Sequence, residues 1–184
     1  MLVIPLIIIT SPIMLVLALL VKFSSEGPIL HKQKRVTLHG KEFLFLKFRS
    51  MYVDAEDKSG PTYSTSDQKD RTTKIGNFLR KTSLDELPQF FNVFLGEMSL
   101  VGPRPERPFF HNEFSKEIQN WDDRLLMRGG MTGWAQINGR AELTTEPLEK
   151  LAYDLYYIEN WSLIFDLKIM LRTITDVIQQ KNVY

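Results

Sequence analysis

Two adjacent carboxylates, Asp85 and Glu86, stand in a segment whose composition suits phosphate chemistry. Basic side chains come just before them at Arg80 and Lys81, and an apolar helix pattern follows through Phe94. A helix start carries partial positive charge and unpaired N–H groups, which favour an ionised aspartate and bind phosphate. With Asp85 as the cap of this predicted helix, Asp85, Glu86 and the nearby cations indicate phosphate and metal chemistry.

A purely structural role explains the same residues. Ser83 and Glu86 have the spacing of a capping box, and Asp85 alone would serve as a helix cap. Caps are far commoner than active sites, so the choice depends on the rest of the chain.

Composition limits the classes of protein. The 184 residues suffice for one domain with a real core, and the net charge of +1 gives no sign of a nucleic-acid partner. No cysteine is present, which excludes disulfides and thiolate-bound metals. His31, His39 and His111 lack the spacing of metal ligands and are expected at the surface.

The first 21 residues contain no charged side chain and predict a membrane-inserted helix. A secretory signal fits poorly, because no basic residue precedes the run and no small-x-small cleavage pattern follows it. Pro12, beside Ser11, is expected to kink the helix, so both a bent and a spanning helix remain open. Basic residues from Lys22 onward place the following domain in the cytoplasm.

Cations recur in three further segments. Alternation in a predicted strand at 42–49 places Lys47 and Arg49 on one face, either for binding or as solvated charges. Prolines frame Arg104, so its planar guanidinium would be held ready for a phosphate; a solvated proline-rich loop is the alternative. In the glycine-rich segment 128–140, glycines would let the backbone approach a ligand, although no P-loop or Rossmann fingerprint is present. That segment offers Arg128, Trp134, Gln136, Asn138 and Arg140.

The remaining segments complete a mainly helical prediction. An extended segment is expected at 29–36, a loop near the site at 54–73, one amphipathic helix at 113–127 and a helix carrying Asp154 at 146–157. The apolar helix predicted near 163–178 either packs on the domain or lies in the membrane interface.

Taken together, the motifs resemble the bacterial sugar transferases, the monotopic phosphoglycosyl transferases that act on polyprenyl phosphate. The resemblance covers nearly the whole chain and is carried by several long motifs in order. These are Ser11-Pro12, Lys47-Phe48-Arg49-Ser50-Met51, Arg80 through Gln89, Met98 through Pro105, Thr132 through Arg140, and Tyr153 through Ile158.

The resemblance implies an activity and a location. It implies transfer of a sugar 1-phosphate from a UDP-sugar to undecaprenyl phosphate, giving UMP and the lipid diphosphate sugar, as the first membrane step of a bacterial glycan. It also implies an α+β fold, mainly α with minor β. Residues 1–22 would form a re-entrant helix in the inner membrane, and residues 23–184 a cytoplasmic catalytic domain with interfacial amphipathic helices. The apolar terminal helices would allow a homodimer.

The same resemblance assigns roles to residues. It makes Asp85 the nucleophile that forms a covalent phosphosugar. Glu86 would hold Mg²⁺ together with Asp85, or act on the proton of the incoming group. Arg104 is implied as the phosphate clamp, with Lys47, Arg80 and Asp154 as further active-site positions. Substrate binding is expected of Arg49, Arg128, Gln136, Asn138 and Arg140, and the membrane bend of Ser11 and Pro12.

Two alternatives and one departure accompany this interpretation. The same carboxylates would serve a Mg²⁺-dependent diphosphate hydrolase, and a membrane-bound interaction protein without catalysis would not need them. Family members usually carry a basic stretch before the apolar run, which is missing before Met1-Leu2. We therefore expect a shortened anchor or a piece of a longer protein.

Overall fold

The protein combines helices with two small sheets, which confirms the α+β prediction. A computed structural model describes residues 3–53, 55, 71–139 and 146–179, and the bounds below refer to these. The α-helices are α1 (Val3–Ser24), α2 (Lys74–Lys81), α3 (Gln89–Phe94), α4 (Pro108–Glu117), α5 (Trp134–Gly139), α6 (Pro147–Glu159) and α7 (Leu163–Ile178). The strands are β1 (Leu30–Val36), β2 (Glu42–Phe48), β3 (Ser99–Val101) and β4 (Gly130–Thr132).

Helix α1 is the one described helix that is long and apolar enough to cross a membrane. At 1.5 Å per residue its 22 residues extend about 33 Å. Pro12 lies inside this helix and cannot donate to the carbonyl of Ile8. The Ser11 hydroxyl donates to that carbonyl instead, at 2.8 Å, as predicted for a hydroxyl beside a membrane proline.

The extended segment predicted at 29–36 and the strand predicted at 42–49 are β1 and β2, and they form an antiparallel hairpin in a register that pairs Leu30 with Phe48 and Val36 with Glu42. Phe48 joins a buried cluster with Met14, Leu17 and Val21 of α1. The hairpin therefore packs on α1. This cluster also contains Leu79, with Leu84 and Leu87 packed against it.

The expectation that Asp85 caps a helix running to Phe94 is wrong. Asp85 and Glu86 lie in a separate 3₁₀ turn, Leu84–Glu86, and α3 begins only at Gln89. The cause is Pro88, which has no N–H to donate to the Leu84 carbonyl, so the bonds here span three residues. Ser83 makes no capping hydrogen bond, so the capping box is absent too.

The single helix expected at 113–127 is also wrong. Helix α4 ends at Glu117, and a 3₁₀ helix, Trp121–Leu126, follows. Asn120 between them is left-handed, with φ 61°, a conformation that asparagine tolerates. The break allows the Trp121 ring to be buried against Phe114, with ring centroids 4.8 Å apart.

The glycine-rich segment brings backbone close to backbone. Strand β4 pairs in parallel with β3, and a Cβ on Gly130 would collide with the backbone of Gly102. A Cβ on Gly102 would in turn collide with the carbonyl of Arg128. The expected alternation of side chains after this strand is wrong as well, because residues 134–139 form α5.

Helices α6 and α7 confirm the two C-terminal predictions. They pack with α5 and β3 around buried Val101, Ile137, Tyr157 and Ile169. The predicted loop at 54–73 falls almost wholly outside the described residues.

Candidate active site

The two carboxylates are held in a buried turn that packs against α1 and the hairpin. Asp85 is 6% exposed and Glu86 is 9% exposed. Leu84 and Leu87 flank them and pack against the apolar cluster of α1 and β2. The apolar contacts therefore fix the turn, and the carboxylates occupy its polar side.

Two cations reach the carboxylates from distant parts of the chain. Lys47 of β2 places Nζ 3.1 Å from Glu86 Oε1 and 3.8 Å from Asp85 Oδ2. Arg104 places Nη2 2.5 Å from the same Glu86 oxygen. Both cationic groups lie over the buried Phe45 ring, 5.5 and 5.8 Å from its centroid. The ring orients both cations and keeps water from one side of them.

Arg104 is held from behind by a buried ion pair. The Arg124 guanidinium donates to the Arg104 carbonyl at 3.0 Å. It also donates twice to Asp154 Oδ2, at 2.5 and 3.1 Å. Arg124 and Asp154 are 3% and 1% exposed. Asp154 thus acts on the predicted site through Arg124 and the backbone of Arg104.

A second buried carboxylate lies beside this pair. The Glu106 carboxylate binds the Lys150 ammonium. Arg35 and Arg124 each place a guanidinium nitrogen 3.9 Å from a Glu106 carboxylate oxygen. Burial lowers the pKa of Lys150 to about 8. Glu106, Arg124 and Lys150 were not predicted as site residues, because their contacts join residues far apart in sequence and leave no local pattern.

Comparison with known proteins decides the family. The sequence model described as bacterial sugar transferase matches residues 1–180. The chain belongs to the bacterial sugar transferase family. The first prediction drawn from the motifs is therefore confirmed.

Several relatives carry more specific names. An Escherichia coli K12 protein named UDP-glucose:undecaprenyl-phosphate glucose-1-phosphate transferase is 47% identical over 89% of this chain and 36% of its own length. A Xanthomonas campestris protein with the same name is 44% identical over 94% of the chain and 36% of its own length. A third relative, from Aeromonas hydrophila, is named UDP-N-acetylgalactosamine-undecaprenyl-phosphate N-acetylgalactosaminephosphotransferase. It is 41% identical over 91% of this chain and 40% of its own length. The chain thus spans well under half the length of these relatives.

The other predicted residues of this sugar transferase are scattered around the carboxylates. Arg80 is half-buried in the last turn of α2, just before the turn that carries Asp85. Arg49 is buried and donates to the end of α1. The structure therefore groups Lys47 and Arg104 with Glu86, and directs Arg49 elsewhere.

The predicted substrate-binding residues after β4 have different surroundings. Gln136 is buried, and neither of its amide atoms has a hydrogen-bond partner. Asn138 donates to the carbonyl of Trp134 within α5, and Arg128 is exposed. Trp134 stacks on Tyr156 within the domain. Arg140 lies outside the described residues.

Sequence reasoning also passed over Gln89, which stands at the end of a quoted motif. This side chain is fully buried in the first turn of α3, and neither amide atom has a partner. Buried amides are normally paired, so Gln89 is a second unusual polar group close to Asp85 in sequence.

Proposed function

We propose that this chain transfers a sugar 1-phosphate from a UDP-sugar to undecaprenyl phosphate and releases UMP. The observation that carries the proposal is the pair of buried carboxylates, Asp85 and Glu86, with Lys47 and Arg104 against Glu86. Phosphates of donor and acceptor would bring several negative charges here, and fixed cations offset such charge without reorganisation. The names of these three relatives support the same reaction.

We assign the nucleophile to Asp85. Lys47 lies 0.7 Å closer to Glu86 than to Asp85, from distances of 3.1 and 3.8 Å, and Arg104 also binds Glu86. Lys47 and Arg104 thus both bind Glu86, which makes Glu86 an anchor for the cations, and the family resemblance implies Asp85 as the nucleophile. Carboxylates are established phosphoryl acceptors in enzymes.

The reaction then proceeds in two balanced steps. An Asp85 carboxylate oxygen forms a bond to the β-phosphorus, and the bond from that phosphorus to the bridging oxygen breaks, so UMP leaves with the electron pair. An oxygen of undecaprenyl phosphate next attacks the same phosphorus and displaces the Asp85 carboxylate. The sugar phosphate is thereby carried on Asp85 between the two substrates.

Asp85 and Glu86 fit a Mg²⁺ ion, and we propose them as its protein ligands. This ion takes few carboxylates and completes its coordination with water and substrate phosphates. Among the described residues, no group of three or more histidine or acidic side chains offers a fuller protein cage. When bound, Mg²⁺ would neutralise part of the diphosphate charge.

We propose that the site lies at the cytoplasmic face of the inner membrane, with α1 bent into a re-entrant helix at Ser11 and Pro12. Helix α7 supports an interfacial position, since it leaves an apolar stripe exposed on one side. Leu163, Ile164 and Ile178 are 72, 80 and 75% exposed, and Leu167, Leu171 and Ile174 complete the stripe. Lipid would cover this surface and bring the acceptor phosphate to the depth of the site.

We further propose that Gln136 contacts the UDP part of the donor, with Arg128, Asn138 and Arg140 nearby and Arg80 on the phosphates. Gln136 has the strongest support, because its buried amide has no hydrogen-bond partner among the residues that the structure describes. Such an amide offers both a donor and an acceptor to a ligand.

Nucleotide release from UDP-sugars tests the proposal. The full chain in lipid nanodiscs with Mg²⁺ receives UDP-glucose or UDP-N-acetylgalactosamine, first without and then with undecaprenyl phosphate. We expect up to one equivalent of UMP without acceptor and sustained turnover with it. Release of UDP would indicate ordinary glycosyl transfer. Free sugar phosphate without lipid-linked product would indicate a diphosphate hydrolase, and either result would overturn the proposal.

A further inference from the structure

Three consecutive residues at the end of β2 and just after it make three different contacts. Lys47 contacts the Glu86 carboxylate, and Phe48 packs in the apolar cluster of α1. Arg49, the next residue, donates to the last turn of α1 and to the chain just after it. A single strand therefore touches both the carboxylates and the membrane helix.

Arg49 binds α1 where that helix carries negative charge. Its Nη2 lies 3.1 Å from the Val21 carbonyl, 2.6 Å from the Ser25 carbonyl and 3.0 Å from Ser25 Oγ. The last carbonyls of a helix have no intrahelical donor, so a cation there satisfies them and offsets the helix dipole. Arg49 is only 5% exposed, so water competes little for these contacts.

The turn after α1 is shaped around the Arg49 guanidinium. Gly27 has φ 121°, which disfavours other residues, and a Cβ at this position would collide with Arg49 Nη1. The Arg49 side chain and the Gly27 backbone thus fix each other. This contact is independent of the carbonyl bonds.

Stability alone explains the buried guanidinium poorly. Arg49 Nε and Nη1 are buried and have no hydrogen-bond partner in the part of the chain that the structure describes, and unpaired buried donors are unfavourable. Among the described residues no carboxylate forms an ion pair with Arg49. Directional bonds to α1 nevertheless set the depth and rotation of the helix, which nonspecific packing of Phe48 against Val21 does not.

We propose that Arg49 is a positioning residue that fixes α1 relative to β2, so that the carboxylates meet an acceptor phosphate held in the membrane. This inference rests on the proposed function. The donor is soluble and needs no membrane alignment, whereas the lipid acceptor does. Loss of the Arg49 contacts should therefore slow the acceptor step much more than the donor step.

The test compares Arg49→Gln and Arg49→Lys with the wild-type chain in nanodiscs. A misalignment of about 1 Å can slow a reaction about 100-fold. We expect turnover with undecaprenyl phosphate to fall at least about tenfold in Arg49→Gln, while the UMP burst without acceptor stays within about threefold. Arg49→Lys should recover part of the loss, because lysine still reaches carbonyl oxygens.

Two further variants sharpen the result. Gly27→Ala should reproduce the selective loss, because its methyl group displaces the guanidinium. Lys34→Gln is the matched control, since it removes an exposed cation of the same hairpin that pairs with Glu42 at 2.9 Å. Its turnover should stay at the wild-type level.

Equal losses in burst and turnover would refute the inference, and so would unchanged turnover in Arg49→Gln. A raised KM for the UDP-sugar with a normal acceptor step would indicate instead that Arg49 takes part in donor binding. Hydrogen exchange of residues 21–25 gives a readout independent of activity. It should quicken in Arg49→Gln and stay unchanged in Lys34→Gln. If wild type releases no UMP, the proposed function fails while exchange still tests the contact with α1.

Discussion

The buried pair of Arg124 and Asp154 gives the most quantitative prediction. Asp154→Asn keeps the size of the side chain and removes its charge, which leaves the Arg124 guanidinium, at 3% exposure, with only the longer contact to Glu106, at 3.9 Å, among the described carboxylates. Breaking one partner of a buried ion pair typically destabilises a protein by about 3–5 kcal/mol. For a chain of this size, about 1 kcal/mol shifts Tm by about 2–4 °C. We take the lower end, about 3 kcal/mol, because asparagine still offers a carbonyl oxygen, and expect Tm to fall by roughly 6–12 °C.

The same variant should lose activity through Arg104. Arg124 donates to the Arg104 carbonyl at 3.0 Å, and Arg104 in turn binds Glu86 at 2.5 Å. Thermal unfolding and UMP release are measured on the same preparations. The double variant Arg124→Met with Asp154→Leu removes both charges and should recover most of the stability. It should not recover activity, because Arg104 still lacks its donor.

Two results would refute this reasoning. An Asp154→Asn chain with wild-type Tm and no turnover would mean that Asp154 contacts substrate directly. Recovery of activity in the double variant would mean that Arg124 does not hold Arg104. Glu42→Gln is the control: the Glu42 partner, Lys34, is 69% exposed, and such surface pairs contribute at most about 1 kcal/mol.

Three further predictions concern single residues. Asp85→Asn should lower turnover at least about 1000-fold and abolish the UMP burst, with Tm nearly unchanged because Lys47 keeps its contact with Glu86; a normal burst would contradict this. Gln89→Leu should raise Tm by about 2–4 °C, because it removes an unpaired buried amide; a lower Tm would contradict it. Burial lowers the pKa of His111, and its neutral Nδ1 accepts from Trp121 at 3.2 Å. Protein stability should therefore fall as pH drops below about 6.5, by at most about 1.4 kcal/mol per pH unit. His111→Gln should make Tm less dependent on pH between about pH 7.5 and 5.5. The same dependence of Tm on pH in wild type and variant would contradict this.

Helices α1, α6 and α7 and the two strands of the hairpin were the predictable part of this fold. An uncharged run predicted α1, and apolar periodicity predicted α6 and α7, because each signal lies within one segment. The errors arose where a single proline or a side-chain contact overrides apolar periodicity. Trp121 is buried against Phe114, and this packing ends α4 earlier than periodicity suggests.

The candidate site was predictable in part for the same reason. Lys47, Asp85, Glu86 and Arg104 stand in recognisable motifs, and the structure brings Lys47 and Arg104 onto Glu86. The groups behind them were missed. Arg124 meets Asp154 across 30 residues of sequence, and an ion pair at that separation leaves no periodic signal.

Substitutions on the two sides of the carboxylates should cause two different kinds of defect. Through Lys47 of β2 and the nearby Arg49 they are joined to the end of α1, where we propose that alignment with the membrane is set. Through Arg104 and Arg124 they are joined to Asp154 of α6, which positions a cation directly on Glu86. A break on the first side should impair mainly the step that uses lipid. A break on the second side should impair both steps, because donor and acceptor phosphates would use the same guanidinium of Arg104. The ratio of burst to turnover therefore reports which side of the site a substitution has damaged.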